Sequence, residues 1–410
     1  MGRRPEVIEG RYNLRRLGMG AVLTIACTGW LGCGSDSGDL TEPPPEAPPV
    51  DEGITPSAGC VDGTLEHGAL YQICFPNNWN GDLVLYAHGH VPANRPLALP
   101  SDQVGGQSIA TTINSLGYAY GTTSYRRNGL LGPEGVEDLA ELEGTVRRLY
   151  RPDPGRTVLV GVSEGGMVVG LGAERHPDVF DGALSACGPV GSLREQLDYF
   201  VDFRVIFDYL FPGVIPGTAI AVPADVMEQW EQIYAPAVVL ALTLNPAAAR
   251  ELVRITGAPV EREDLAAIAI TTVSILRYNV VGTANAHQRL NGQPFDNSQR
   301  AYTGSSDDAA LNAGVARFTA DAAALAAVSE FETDGNLQIP VVTLHTTGDP
   351  IVPYQQQALY ADKVSGTGTS SQLTQIEVER YGHCRFEAAE VLGAFSNLIG
   401  RVAQPLALRQ

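Results

Sequence analysis

The sequence predicts an α/β protein, strand and helix units in succession with one large helical insertion, and three observations carry that expectation. The run Thr157-Val158-Leu159-Val160 reads as a buried strand and passes through Gly161-Val162-Ser163-Glu164-Gly165 into a helix-like stretch. A second buried strand of β-branched residues, Ile339-Pro340-Val341-Val342-Thr343-Leu344, leads into a loop carrying Asp349. From Ser163 to Asp349 there are 186 residues, far more than a few strand-helix units need, whereas Asp349 to His383 takes 34.

Each element has a local reason. In a tight strand-turn-helix elbow the residue at the apex takes a strained conformation, and a side chain on either flank collides with the adjoining backbone, hence Gly161 and Gly165 around Ser163. Leu83-Val84-Leu85-Tyr86-Ala87 reads as another strand, followed by His88-Gly89-His90, and Gln375-Ile376-Glu377-Val378 as the last strand, followed by Tyr381-Gly382-His383-Cys384. Asp349 also suits a turn, since Gly-Asp-Pro is good turn chemistry, but Glu332 and Asp334 precede their strand and fall at the wrong end of the sheet.

The order Ser163, Asp349, His383, together with the elbow and the His-Gly loop, resembles the α/β-hydrolase superfamily over most of residues 70–400. The resemblance implies an α/β-hydrolase fold with a mostly parallel sheet and a large helical cap insertion. It implies Ser163 as nucleophile, His383 as general base and Asp349 as the carboxylate that orients it. By similarity, the oxyanion donors are the backbone amides of His90, beside Gly89, and Glu164. Glu164 reads either as a plain elbow side chain or as a charge acting on His383. His88 and His90 also fit a metal pair, but His176 at an apparent helix end and His287 in a helical region offer no third ligand, so no metal and no cofactor are expected.

Residues 1–33 read as an export signal: Arg15-Arg16 precede the apolar run from Leu17 to Trp30, and Leu31-Gly32-Cys33 resembles, in part, the end of a bacterial lipoprotein box. Residues 34–53, with Pro43-Pro44-Pro45 and Pro48-Pro49, form a tether too polar and proline-rich to fold. The expected location is therefore the cell envelope or the exterior, with any membrane contact through a lipid at Cys33. Of the six cysteines, Cys27 and Cys33 fall in the signal region. Cys60 and Cys74 flank a hairpin-like stretch that a disulfide closes; Cys187 and Cys384 either pair, pinning the His383 loop to the sheet, or remain buried thiols. His383-Cys384 resembles half of the tannase and feruloyl esterase pattern, the other half being absent because Val162 precedes Ser163.

With 46 acidic against 27 basic residues, the net charge of −19 excludes nucleic acid as a partner. Residues 54–189 and 336–410 are read as two parts of one core, and 190–335 as the insertion. Within it Leu193, Leu197, Val201 and Val205 recur at helical spacing, Asp225 to Leu244 and Glu261 to Val281 read as long helices, and Asp308 to Phe331 as an alanine-rich helix. An insertion here is expected to act as a cap, the alternative being an accessory bundle elsewhere; Tyr199, Phe200, Phe203, Phe207, Tyr209, Phe211, Trp230 and Tyr234 are available to wall it, most of them expected to serve as packing residues instead. The polar segment from Asn291 to Gly304 reads as a surface loop, with reach toward the site as the alternative. The expected function is an exported serine hydrolase cleaving small to medium, hydrophobic or aromatic carboxylic esters. The alternatives are a peptidase or amidase resembling prolyl oligopeptidases, and a non-catalytic binding protein on the same scaffold.

Overall fold

Eight strands of one sheet set the position of everything else in the molecule, a computed structural model that describes residues 53–403. The export signal, Cys27, Cys33 and nearly all of the tether lie outside the described residues. The strands are β1 (Gly59–Thr64), β2 (Leu70–Phe75), β3 (Leu83–Ala87), β4 (Ala119–Thr123), β5 (Thr157–Val162), β6 (Gly182–Ala186), β7 (Val341–Gly348) and β8 (Leu373–Tyr381). Their spatial order is β1-β2-β4-β3-β5-β6-β7-β8. β2 runs antiparallel to both β1 and β4, and every other pairing is parallel. This strand order, with its single reversed strand, defines the α/β-hydrolase fold.

The central strands are apolar on both faces because helices cover both. Along β3, Leu83, Leu85 and Ala87 pack with Leu139 and Leu142 of α2 (Pro133–Leu149) and Met167 and Leu171 of α3 (Glu164–Arg175). The alternate residues Val84 and Tyr86 face the opposite layer, where Ile113 of α1 (Ile109–Ser115) and Phe395 and Leu398 of the last helix (Ala388–Val402) lie. β7 is longer than its apolar run suggests: His345 and Thr346 remain in register with β8, and Gly348 pairs with Tyr381 after a bulge, instead of starting a loop, and β-branched threonines favour that extension.

Between β6 and β7 the chain leaves the sheet and forms α4 (Leu193–Leu210), α5 (Ala224–Glu228), a π-helical turn (Trp230–Tyr234), α6 (Ala235–Leu244), α7 (Pro246–Thr256), α8 (Leu265–Arg289), α9 (Asp308–Gly314) and α10 (Ala322–Val328). These helices have their own apolar core, with Phe203, Phe207, Phe211, Trp230, Leu242, Leu252 and Ile275 buried together, and Ile351 and Val352 from the loop after β7 join it. That shared packing fixes the helices against the end of the sheet where β7 delivers Asp349.

Two helical expectations need correction. Asp225 to Leu244 is not one helix: the chain closes α5, passes through the π-helical turn and restarts at Ala235 with Pro236 in the first turn, where a missing N–H costs nothing. Asp308 to Phe331 is also broken, because residues 315–321 are held extended by Asn297, whose N–H donates to the Phe318 carbonyl and whose Oδ1 accepts from the Phe318 N–H. Alanine content favours a helix, but these tertiary bonds prevail.

Candidate active site

Ser163 sits between the end of β5 and the first residue of α3 with φ 56° and ψ −123°, a region that costs a non-glycine residue ~1–3 kcal/mol. The surroundings enforce it. The Ser163 N–H donates to the Ala186 carbonyl at 2.9 Å. A Cβ on Gly161 would meet the Gly165 carbonyl oxygen at 2.1 Å, and one on Gly165 would meet that of Ala87 at 2.1 Å. Gly89 is held less closely, since a Cβ there would lie 3.2 Å from the Ser163 Cβ.

At the apex the Ser163 hydroxyl donates to His383 Nε2 at 2.8 Å, and His383 Nδ1 donates to Asp349 Oδ2 at 2.7 Å. Residues 220 and 34 apart in sequence thus form one hydrogen-bonded chain. The fully buried Asp349 carboxylate accepts further bonds at Oδ1 from the Ile351 and Val352 amides, at 2.8 and 3.0 Å.

Several side chains not assigned such a role from the sequence hold this arrangement. His345, fully buried, donates from Nε2 to the Val352 carbonyl and accepts at Nδ1 from the Gln357 amide. Burial lowers its pKa, with Asp349 opposing. It therefore packs beside Asp349 as a neutral ring. From α4, the Tyr199 hydroxyl donates to the Pro350 carbonyl at 2.8 Å and the Gln196 amide to the Ile351 carbonyl at 2.8 Å. No local pattern announces the last two bonds, whose partners are 151 and 155 residues apart. Glu332 and Asp334 lie elsewhere, Glu332 accepting from Ser192 and Lys363, and the Asp334 N–H donating to Glu174.

Cys60 and Cys74, opposite one another across β1 and β2, form a disulfide. Cys187 and Cys384 form a second one, across 197 residues, with Cα atoms 5.4 Å apart. The latter ties the end of β6 to the residue after His383, and Cys384 Sγ lies 3.4 Å from His383 Nε2. Cys187, His383 and Cys384 also have the proximity of a metal cluster, but two sulfurs shared in a disulfide offer no thiolate for an ion.

His90 and Glu164 line the same cavity as Ser163, and among the described residues neither backbone amide donates to another protein group. The Glu164 carboxylate does not reach for His383. Oε1 accepts from the Leu131 N–H at 2.9 Å, and Oε2 lies 3.3 Å from His90 Nδ1. Burial lowers the His90 pKa, yet the Glu164 charge and hydrogen bond outweigh it and leave the imidazole raised. His90 Nδ1 is thus engaged by Glu164, and His88 Nδ1 donates to the Gly89 carbonyl. His176 ends α3.

Two cavities meet at Ser163. One, of about 100 Å³, is almost wholly apolar, walled by Met167, Leu197, Phe200, Tyr278 and Val352 among others, with His287, Pro294 and Phe295 at its far side. The segment from Asn291 to Gly304 therefore does reach the site, through Pro294 and Phe295. Of the eight aromatics available to wall it, Phe200 does so, while Phe203, Phe207, Phe211 and Trp230 are buried in the helical core, the packing role expected of most of them. The other cavity, of about 380 Å³, is more polar and is lined by His88, Pro96, Ser101, Asp102, Asn128 and His383.

The sheet order and the elbow define a protein of the α/β-hydrolase fold. No protein-family model matches the sequence, and no curated protein matches it. Solved structures resemble it at low identity. Est1E from Butyrivibrio proteoclasticus is 11% identical, with 85% of this chain and 100% of that chain covered and a TM-score of 0.42. A Pyrococcus furiosus esterase is 10% identical, covering 84% and 90%, with a TM-score of 0.43. A Pyrococcus horikoshii acylaminoacyl peptidase is 11% identical over 85% of this chain, with a TM-score of 0.39. The chain spans 41% of that peptidase's length.

Proposed function

We propose that the protein is a serine hydrolase that cleaves carboxylic esters through an acyl-Ser163 intermediate. The observation that carries this reading is the unbroken chain from Ser163 to His383 to Asp349 at the junction of two cavities. His383 Nε2 takes the hydroxyl proton as Ser163 attacks the carbonyl, Asp349 stabilises the imidazolium, and the His90 and Glu164 amides donate to the oxyanion. His383 then returns the proton to the departing alkoxide, and water, activated by the same imidazole, releases the acid.

The two cavities divide the substrate. The proton donor must reach the leaving oxygen, and His383 lines the larger, more polar cavity but not the apolar one. The alcohol therefore departs into the polar cavity, and the acyl chain occupies the apolar one beneath α4 and α8, which act as the cap. We further take residues 1–33 as an export signal with a lipid at Cys33; the pairing of all four cysteines beyond it suits an oxidising compartment and supports that assignment.

Nitrophenyl esters of increasing acyl length test the reading. We expect an optimum at short to medium chains and a loss of at least ~10³-fold in kcat for Ser163→Ala. Full turnover in that variant refutes the mechanism, and faster turnover of matched anilides than of esters replaces the esterase with an amidase.

A further inference from the structure

Five of the nine large hydrophobic side chains that are exposed among the described residues cluster on neighbouring helices of the insertion. Ile233 ends up 48% exposed, Val239 42%, Leu240 58% and Leu244 76%, all in the π-helical turn and α6, while α8, packed against α6, adds Ile270 at 60%. Along the helix, Ile233, Pro236, Leu240 and Leu244 follow one another at spacings of three and four, with Val239 and Thr243 beside them, so they share a face. No charged residue occurs from Gln232 to Asn245. A face this apolar on an otherwise strongly acidic protein is not an ordinary scatter of surface leucines.

We propose that this face of α6, with Ile270, is a docking surface for a lipid bilayer without net negative charge. Three features select that occupant. The strip offers about half a dozen side chains, whereas a stable partner protein or second copy engages roughly 20–30 residues a side. The net charge of −19 opposes anionic headgroups and leaves zwitterionic ones. A lipid at Cys33, as proposed above, would hold the protein at a membrane. α8 links the surface to the site, since Tyr278, Gly282 and Ala286 on the same helix wall the apolar cavity. A weakly soluble ester dissolved in the bilayer is thereby met by the helices that enclose its acyl chain. Membrane docking stands without the catalytic reading; delivery of substrate rests on it.

The test compares chains that begin at position 33 and carry Cys33→Ser, so that neither the apolar run from Leu17 to Trp30 nor a lipid remains, with and without Leu240→Glu plus Leu244→Glu. Flotation with phosphatidylcholine vesicles should recover the parent and at least ~10-fold less of the doubly charged variant. Hydrolysis of a soluble nitrophenyl ester should be the same in both, because neither leucine lines a cavity. Equal flotation of the two chains, or none of the parent, overturns the proposal. A parent dimer in equilibrium sedimentation that the substitutions dissociate also overturns it and assigns the face to a second copy. Ser163→Ala should float like the parent, so a failed hydrolase and a failed docking surface give different results.

Discussion

Ser163 shows how little of a site a residue owns by itself. Its hydroxyl is an ordinary one, and what distinguishes it is a positive φ enforced by two glycines that have no room for a Cβ, and an imidazole 2.8 Å away. The sequence displays the first of these directly, because only glycine tolerates such approaches; it displays the imidazole only through chain order. Glu164 was the least legible residue. Its place after the nucleophile suggested an effect on His383, yet the fold turns its carboxylate to His90 and the Leu131 amide. Glu164→Gln should keep an oxygen for Leu131 while removing the charge, so the His90 imidazole should titrate at lower pH by NMR. Because the native pKa of His90 is raised above its unfolded value near ~6.5, the interaction stabilises the fold fully below that pH and is lost as pH rises through the native pKa. The melting-temperature advantage of the wild type over Glu164→Gln should accordingly be greatest in acid and shrink above neutrality; an advantage that does not vary with pH contradicts the pairing.

Among the elements, strands and the elbow were readable and helix breaks were not. A buried parallel strand writes itself as a run of β-branched residues, as in β5 and β7, whereas the interruption at residues 315–321 depends on Asn297, far off along the chain. The loop that carries His383 is an element of the same kind, held by its connections. Gly382 donates to the Gly348 carbonyl, the Thr346 hydroxyl donates to the Gly382 carbonyl, and the disulfide anchors Cys384 to the end of β6. Replacing Cys187 and Cys384 together by serine should lower the unfolding free energy in urea by about 2–5 kcal/mol. Ester turnover should fall as well, because His383 then samples positions out of reach of Ser163. A reductant should reproduce both effects in the wild type; unchanged stability and turnover would show that the backbone bonds alone place the loop.

On the scale of the molecule, the insertion and the sheet form one site because each supplies what the other lacks. The sheet ends bring Ser163, Asp349 and His383 together, while α4 bonds the carbonyls of Pro350 and Ile351 and, with α8, walls the apolar cavity. The sequence revealed the position of the insertion through the long interval between Ser163 and Asp349, but not that Pro294 and Phe295 return from it to the cavity, nor that its outer face is apolar. The central claim is that Ser163 is a nucleophile activated by His383, and the most direct measurement is intact-protein and peptide mass spectrometry after exposure to a fluorophosphonate. We expect one phosphonyl adduct per chain, on the peptide containing Ser163, with labelling abolished by Ser163→Ala and strongly slowed by His383→Ala. An unlabelled wild type, or an adduct that persists in Ser163→Ala, would contradict the claim.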